Sequence, residues 1–61
     1  MIETIHFTDE QSVTVAAERG VGLQLVLHDD GTEVAFFLSH DEALRLAAIL
    51  THSTEYLNPD S

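Results

Sequence analysis

Hydrophobic and polar residues alternate along the chain as far as residue 38, and the period then changes to that of a helix. The clearest alternation flanks Asp30-Gly31, a dipeptide that supplies the positive φ angles of a tight type I′ hairpin. A register shifted by one residue would turn Glu33 towards the core and is therefore disfavoured. The preferred register pairs the large apolar residues on one face: Leu23 with Leu38, Leu25 with Phe36 and Leu27 with Val34.

Further strands are predicted before this hairpin. Residues 13–17 alternate between apolar and polar or small side chains, which is typical of a half-buried strand. A three-residue loop at residues 19–21 would place Ala17 opposite Leu23 and keep the same face apolar. Residues 2–7 also alternate, which indicates a first strand. The result is an antiparallel β-meander of three or four strands.

A helix is predicted from about residue 40 to residue 56. Ser39 and Glu42 have the spacing of a capping box, in which each side chain accepts a hydrogen bond from the backbone of the other. One apolar stripe follows from a rotation of about 100° per residue. It contains Ala43, Leu46, Ala47, Leu50 and Leu57, with Ile49 and Tyr56 along its edge.

The fold class is therefore α+β, with the element order ββββα and the helix packed on one sheet face. Residues 1–57 are expected to form a single small domain. The tail at residues 58–61, which contains a proline and small polar residues, is expected to fray.

The opposite sheet face also carries apolar residues. A sheet of four strands spaced about 4.8 Å apart is nearly 20 Å wide, whereas a helix covers about 10–12 Å. Exposed apolar surface of this kind usually marks a contact site. The alternative is that Phe37 is an exposed aromatic side chain curled over a small sheet. The candidate interface for a partner or a dimer comprises Ala16, Val26, Ala35, Phe37, Ile49 and Tyr56.

Chain length changes this picture, because 61 residues lie near the lower limit for a domain that folds alone. Small domains are usually stabilised further by disulfides, metals or oligomerisation. Cysteine is absent, which excludes disulfides and thiolate metal sites. A homodimer is therefore expected, and a site of histidines and carboxylates is the other possibility.

Charge restricts the partners. Eleven acidic residues face two arginines and no lysine, giving a formal net charge of −9. Direct nucleic-acid binding needs Lys and Arg contacts to phosphate and is not expected. The negative electrostatic field of such a chain favours a basic protein partner. Solubility or adaptation to a salty cytoplasm would also explain the acidity. No apolar run is long enough for a membrane span and the first residues lack signal-peptide features, so a cytoplasmic protein is expected.

Four histidines suggest a metal site, but their spacing is unsuited to one. His40 and His52 would lie about 18 Å apart along a helix, and no HExxH pattern occurs. His28 and Glu33 across the hairpin, with Asp30 nearby, form the one candidate metal site, whose alternative is a cross-strand charge pair.

Catalytic residues are not identified. The serines lack the context of a nucleophile elbow, and the carboxylates fall in turns or on an exposed helix face, where solvent leaves them unactivated. The sequence therefore predicts a protein without enzymatic activity and without a cofactor.

The segment LSHDEALRLAAIL, preceded by a hairpin, is similar to the end of small antitoxin-type domains, in which a sheet leads into an acidic helix start and an Ala- and Leu-rich helix. Two hypotheses follow from the residues themselves. The first is a homodimeric protein-binding module that regulates or inhibits a protein partner, for example a phage or mobile-element anti-defence protein or a DNA mimic acting on a nucleic-acid-handling protein. The second is a module that binds a metal or small ligand.

Overall fold

Four antiparallel strands form one sheet in the order β1-β2-β3-β4, and a single helix follows them. These elements come from a computed structural model that describes residues 1–60. The α+β class and the ββββα order are as the sequence predicts, and the meander has four strands. The elements are β1 (Ile2–His6), β2 (Gln11–Glu18), β3 (Gly22–Asp29), β4 (Thr32–Leu38) and α1 (His40–Leu57).

The β3–β4 hairpin has the predicted register. Leu25 pairs with Phe36 and Leu27 with Val34, on either side of the two-residue loop. Asp30 and Gly31 have φ angles of 47° and 82°, both positive as a type I′ turn requires. The aspartate can occupy this region because Asp tolerates the left-handed conformation better than most residues.

Pairing of β2 with β3 and of β1 with β2 completes the meander. Ala17 lies opposite Leu23, as predicted for a loop at residues 19–21. Strand β1 pairs with β2 of the same chain, with Ile5 opposite Val13.

The register divides the sheet into two faces, because successive side chains along a strand point to opposite sides. We define the inner face by the apolar residues of β2, β3 and β4 that share one side. They are Val13, Val15, Ala17, Leu23, Leu25, Leu27, Val34, Phe36 and Leu38. We define the outer face by the opposite side, which carries Ile2, Thr4, His6, Ser12, Thr14, Ala16, Glu18, Gln24, Val26, His28, Glu33, Ala35 and Phe37.

Helix α1 begins in the predicted capping box. The Ser39 amide donates to Glu42 Oε1 over 2.8 Å, and the Glu42 amide donates to Ser39 Oγ over 3.2 Å. These bonds satisfy backbone groups that lack intrahelical partners at a helix start. Ser39 is also the single residue between β4 and α1, so the helix starts directly from the end of the strand.

Contact between the helix and the sheet is much slighter than the apolar stripe would lead one to expect. Helix α1 approaches β3 and β4, and within residues 1–60 it does not come near β1 or β2. Only Ala43 and Leu46 of the helix are half-buried, and Leu50 is 57% exposed. No side chain in the described part of the chain is buried.

The molecule is correspondingly extended. Its radius of gyration is 13.3 Å, whereas a compact chain of this length would have about 10.5 Å. Its accessible surface is 5337 Å², against about 3,900 Å² for a folded monomer of 6.7 kDa. The excess of about 1,400 Å² is surface that a compact domain of this size would bury.

After the helix, Asn58 is the C-terminal cap and its side-chain oxygen accepts a hydrogen bond from the Asp60 amide over 3.1 Å. Of the tail predicted to fray, residues 58–60 are described, and Ser61 lies outside the described residues.

Candidate interaction surfaces

The outer face brings together four of the six predicted interface residues. Val26 pairs with Ala35, and Phe37 lies opposite Gln24, whose other neighbour is Ala16. Phe37 is 78% exposed. It lies on the edge strand β4, on the same side of the sheet as Val26 and Ala35, and an exposed apolar patch of this kind is typical of protein contact sites.

The two remaining predicted residues, Ile49 and Tyr56, lie on α1 rather than on the sheet. Both are exposed, Tyr56 by 88%. The structure therefore places the six predicted residues on two separate surfaces, four on the outer face of the sheet and two on the helix.

Ile2 is an outer-face residue that the sequence analysis missed. It pairs with Ala16, and so extends the row of Ala16, Gln24 and Phe37 onto the edge strand. The alternation of residues 2–6 indicates a strand with Ile2 in it. The residue that Ile2 pairs with, however, depends on the register between β1 and β2, which this alternation does not determine. An apolar groove continues from Ile2 and Phe37 towards Val21.

Acidic residues border this patch. Glu18 and Glu33 belong to the outer side of the sheet, in the cross-strand rows that flank the two rows containing Phe37 and Val26. An apolar patch between carboxylates matches a partner surface that presents an apolar group among basic residues.

The remaining acids lie mainly in turns and at the helix start. They include Asp9 and Glu10 before β2, Asp29 and Asp30 at the hairpin, and Asp41 and Glu42 in the first helical turn. Hydrogen bonds from the Ser39 backbone and side chain lower the pKa of Glu42 from its ordinary value of 4.5. On the inner side of β2, β3 and β4 the one acid is Asp29, at the end of β3 beside the hairpin turn, so most of the acidic surface lies outside the inner face.

The inner face is the larger apolar surface, and it is incompletely covered. Phe36, midway along the edge strand β4, is 49% exposed, and Leu27 and Val34 are exposed as well. On the helix, the stripe residues Leu50 and Leu57 are likewise exposed. Two apolar surfaces of one chain therefore lie largely open, and they cover each other only in part.

The candidate metal site consists of one close pair. His28 Nδ1 lies 3.4 Å from Glu33 Oε1 across the hairpin, which is the geometry of the cross-strand charge pair considered as the alternative. Asp30 lies in the turn. Across residues 1–60, no three histidine or acidic side chains are grouped so that they could hold a metal ion.

The fold and surfaces define a small α+β chain with an open apolar sheet and an exposed amphipathic helix. The chain matches no family model, no curated protein and no solved structure. No helix in the described residues has the length and apolar character needed to cross a membrane.

Proposed function

We propose that the chain is a non-enzymatic protein-binding module that forms a homodimer and docks its outer face on a basic protein. Docking would regulate or inhibit that protein by covering part of its surface. The observation that carries this proposal is that apolar side chains are exposed on both sheet faces and on the helix, while no side chain of residues 1–60 is buried.

Self-association is supported by the area of the surface. A single chain exposes about 1,400 Å² more than a folded monomer of its mass. Two copies that buried this excess would hide about 2,800 Å², which is in the range of obligate homodimers. A second copy would thus give this short chain the core that it lacks by itself.

Docking on a basic protein is supported by charge and by the outer face. The net charge of −9 would accelerate association with a basic surface and weaken association with acidic ones. Phe37 supplies an exposed aromatic side chain of the type enriched at interfaces. A protein that handles nucleic acid is the kind of partner whose basic surface fits these features.

The test compares proteins captured from a lysate of the source organism by the immobilised wild-type chain and by two variants. Phe37→Asp replaces the largest apolar side chain of the outer-face patch with a charged one. Leu44→Asp is the control, since Leu44 is also an exposed apolar residue but lies on α1 outside the stripe. Mass spectrometry identifies the captured proteins, and the best candidate is then purified and titrated against each chain.

We expect a protein with a high isoelectric point that binds the wild type and Leu44→Asp about equally and binds Phe37→Asp at least tenfold more weakly. Its affinity should fall as salt is added, because screening weakens the attraction between opposite charges. Equal binding by wild type and Phe37→Asp, or a partner that is acidic, would contradict the docking part of the proposal.

A further inference from the structure

The inner face and the helical stripe are complementary surfaces that one chain leaves apart. Across β2, β3 and β4 the inner side is apolar except at its hairpin end, where Gln11, Asp29 and Thr32 lie. The stripe on α1 is also apolar, and beyond Leu46 its residues are exposed. Each surface has the character of half of a protein core.

The connection between β4 and α1 explains why the two surfaces meet only slightly within the chain, where Ala43 and Leu46 are half-buried. Only Ser39 separates Leu38 from the first helical residue, and its φ and ψ of −71° and 170° are extended. Connections between strands and helices in compact domains usually have about 2–6 residues. The chain therefore lacks the loop by which α1 could turn back along its own sheet, and a short connection of this kind favours exchange of an element between copies.

We propose that α1 of a second copy lies across the inner face, and that the two copies exchange helices reciprocally around a twofold axis. The apolar stripe of each helix then covers the inner face of the other chain, with Leu50 near Leu25 at the centre. The outer face with Phe37 stays free for the protein partner. This inference rests on the proposed homodimer and specifies how it is built.

The dimensions of the two surfaces agree with this arrangement. Helix α1 has 18 residues, or about 27 Å at 1.5 Å per residue. Strands β2 and β3 have 8 residues each, or about 27 Å at 3.4 Å per residue. A helix about 10–12 Å across covers most of the width of three neighbouring strands, which is about 14 Å.

Charge also favours a second copy over a basic protein at this face. Two carboxylates lie at the margins of this face, Asp29 at the hairpin end of β3 and Glu3 on the edge strand β1, whereas the centre of the inner face offers none to a basic partner. The acidic helix positions Asp41, Glu42 and Glu55 lie outside the stripe, so an exchanged helix would bring no charge onto the apolar face. The reciprocal contact is thus apolar on both sides.

Cross-linking tests the arrangement, and the absence of natural cysteine makes it specific. One preparation carries Leu25→Cys on the inner face, and another carries Leu50→Cys on the stripe. The two are unfolded together, refolded as a mixture and treated with a short bismaleimide. Each variant alone and the double variant Leu25→Cys/Leu50→Cys are treated in parallel.

We expect a covalent dimer from the mixture that contains one chain of each kind, and little product from either variant alone. The double variant should give dimers cross-linked between chains. Products joining Leu25→Cys to itself would indicate that the sheets pack face to face, and products joining Leu50→Cys to itself would indicate that the helices pair. Either result, in a protein shown to be dimeric by sedimentation, overturns the exchange and leaves the homodimer standing.

A cross-link confined within one chain of the double variant, in a protein that sediments as a monomer, would overturn both the exchange and the homodimer. None of these cross-linking results changes the expectation that capture of the protein partner depends on Phe37.

A second variant needs no change in the apolar surfaces. Insertion of Gly-Asn-Gly-Ser between Leu38 and Ser39 gives α1 the loop that the chain lacks. We expect this variant to shift from dimer to folded monomer at the same concentration, since the helix can now cover its own inner face. An inserted chain that dimerises as tightly as the wild type would overturn the exchange.

Discussion

Gly22 is the residue on which the junction between the sheet and the helix depends most closely. It begins β3 with a φ of 139°, and a Cβ atom at this position would lie 2.6 Å from the Leu38 carbonyl oxygen and 3.8 Å from Ser39 Cα. Glycine is therefore required both by the backbone conformation and by the close approach of the end of β4.

Gly22→Ala should lower the free energy of unfolding by about 3 kcal/mol, since it adds a steric clash to a strained backbone conformation. The matched control is Gly20→Ala. Gly20 also has a positive φ, of 77°, but no atom lies within 4 Å of a Cβ added there. The control should lose only about 1 kcal/mol. Urea unfolding at one chain concentration measures both losses, and equal losses would show that the approach of Leu38 is unimportant.

At the scale of single residues, the sequence predicts Phe37, Val26, Ala35 and Ala16 on one face because the hairpin register fixes their alternation. Ile2 is not predicted there because its position follows only from the pairing between β1 and β2. The polar connection at residues 8–10 has no turn signal that would set this register. Local rules thus identify residues near a defined turn better than residues of an edge strand.

Among the elements, the start of α1 is stabilised by a capping box that depends on an ionised Glu42. The hydrogen bond with the Ser39 backbone makes the largest contribution to lowering the pKa of Glu42, and the hydrogen bond with the Ser39 side chain makes the next largest. A carboxyl whose pKa is lower in the folded chain stabilises the fold fully above its unfolded pKa. That contribution is lost as the pH falls through the lower, folded value.

The free energy of unfolding of the wild type should therefore exceed that of Glu42→Gln at pH 7, and the difference should shrink as the pH falls below 4.5. Glutamine keeps an acceptor for the Ser39 amide but does not titrate in this range. Denaturant unfolding followed by circular dichroism at several pH values gives the difference. In a Ser39→Ala background it should be smaller, and a difference that does not vary with pH would contradict this account of the cap.

The elements themselves follow from the sequence to a large extent. The Asp30-Gly31 turn, the β3–β4 register and the Ser39–Glu42 cap are local features, and each is present as predicted. How far the helix covers the sheet is not a local feature. It depends on the direction in which α1 leaves β4, and the apolar stripe of a helix is the same whether its own sheet or that of another copy covers it.

At the scale of the whole molecule, charge opposes the self-association that the apolar surfaces favour. Each chain carries −9, so two copies repel each other until salt screens their charges. Association of the chain with itself should therefore tighten as sodium chloride rises from 0.05 M to 1 M. Binding to a basic partner should weaken over the same range, and sedimentation and titration at several salt concentrations would measure the two opposite slopes.

The central claim is that this chain completes its core with a second copy. Sedimentation equilibrium of the wild-type chain in 1 M salt, over a wide range of concentrations, tests it most directly. The account predicts a species of twice the 6.7 kDa mass of one chain, with dissociation on dilution accompanied by unfolding. A species of 6.7 kDa that stays folded and unfolds cooperatively at every concentration would contradict it.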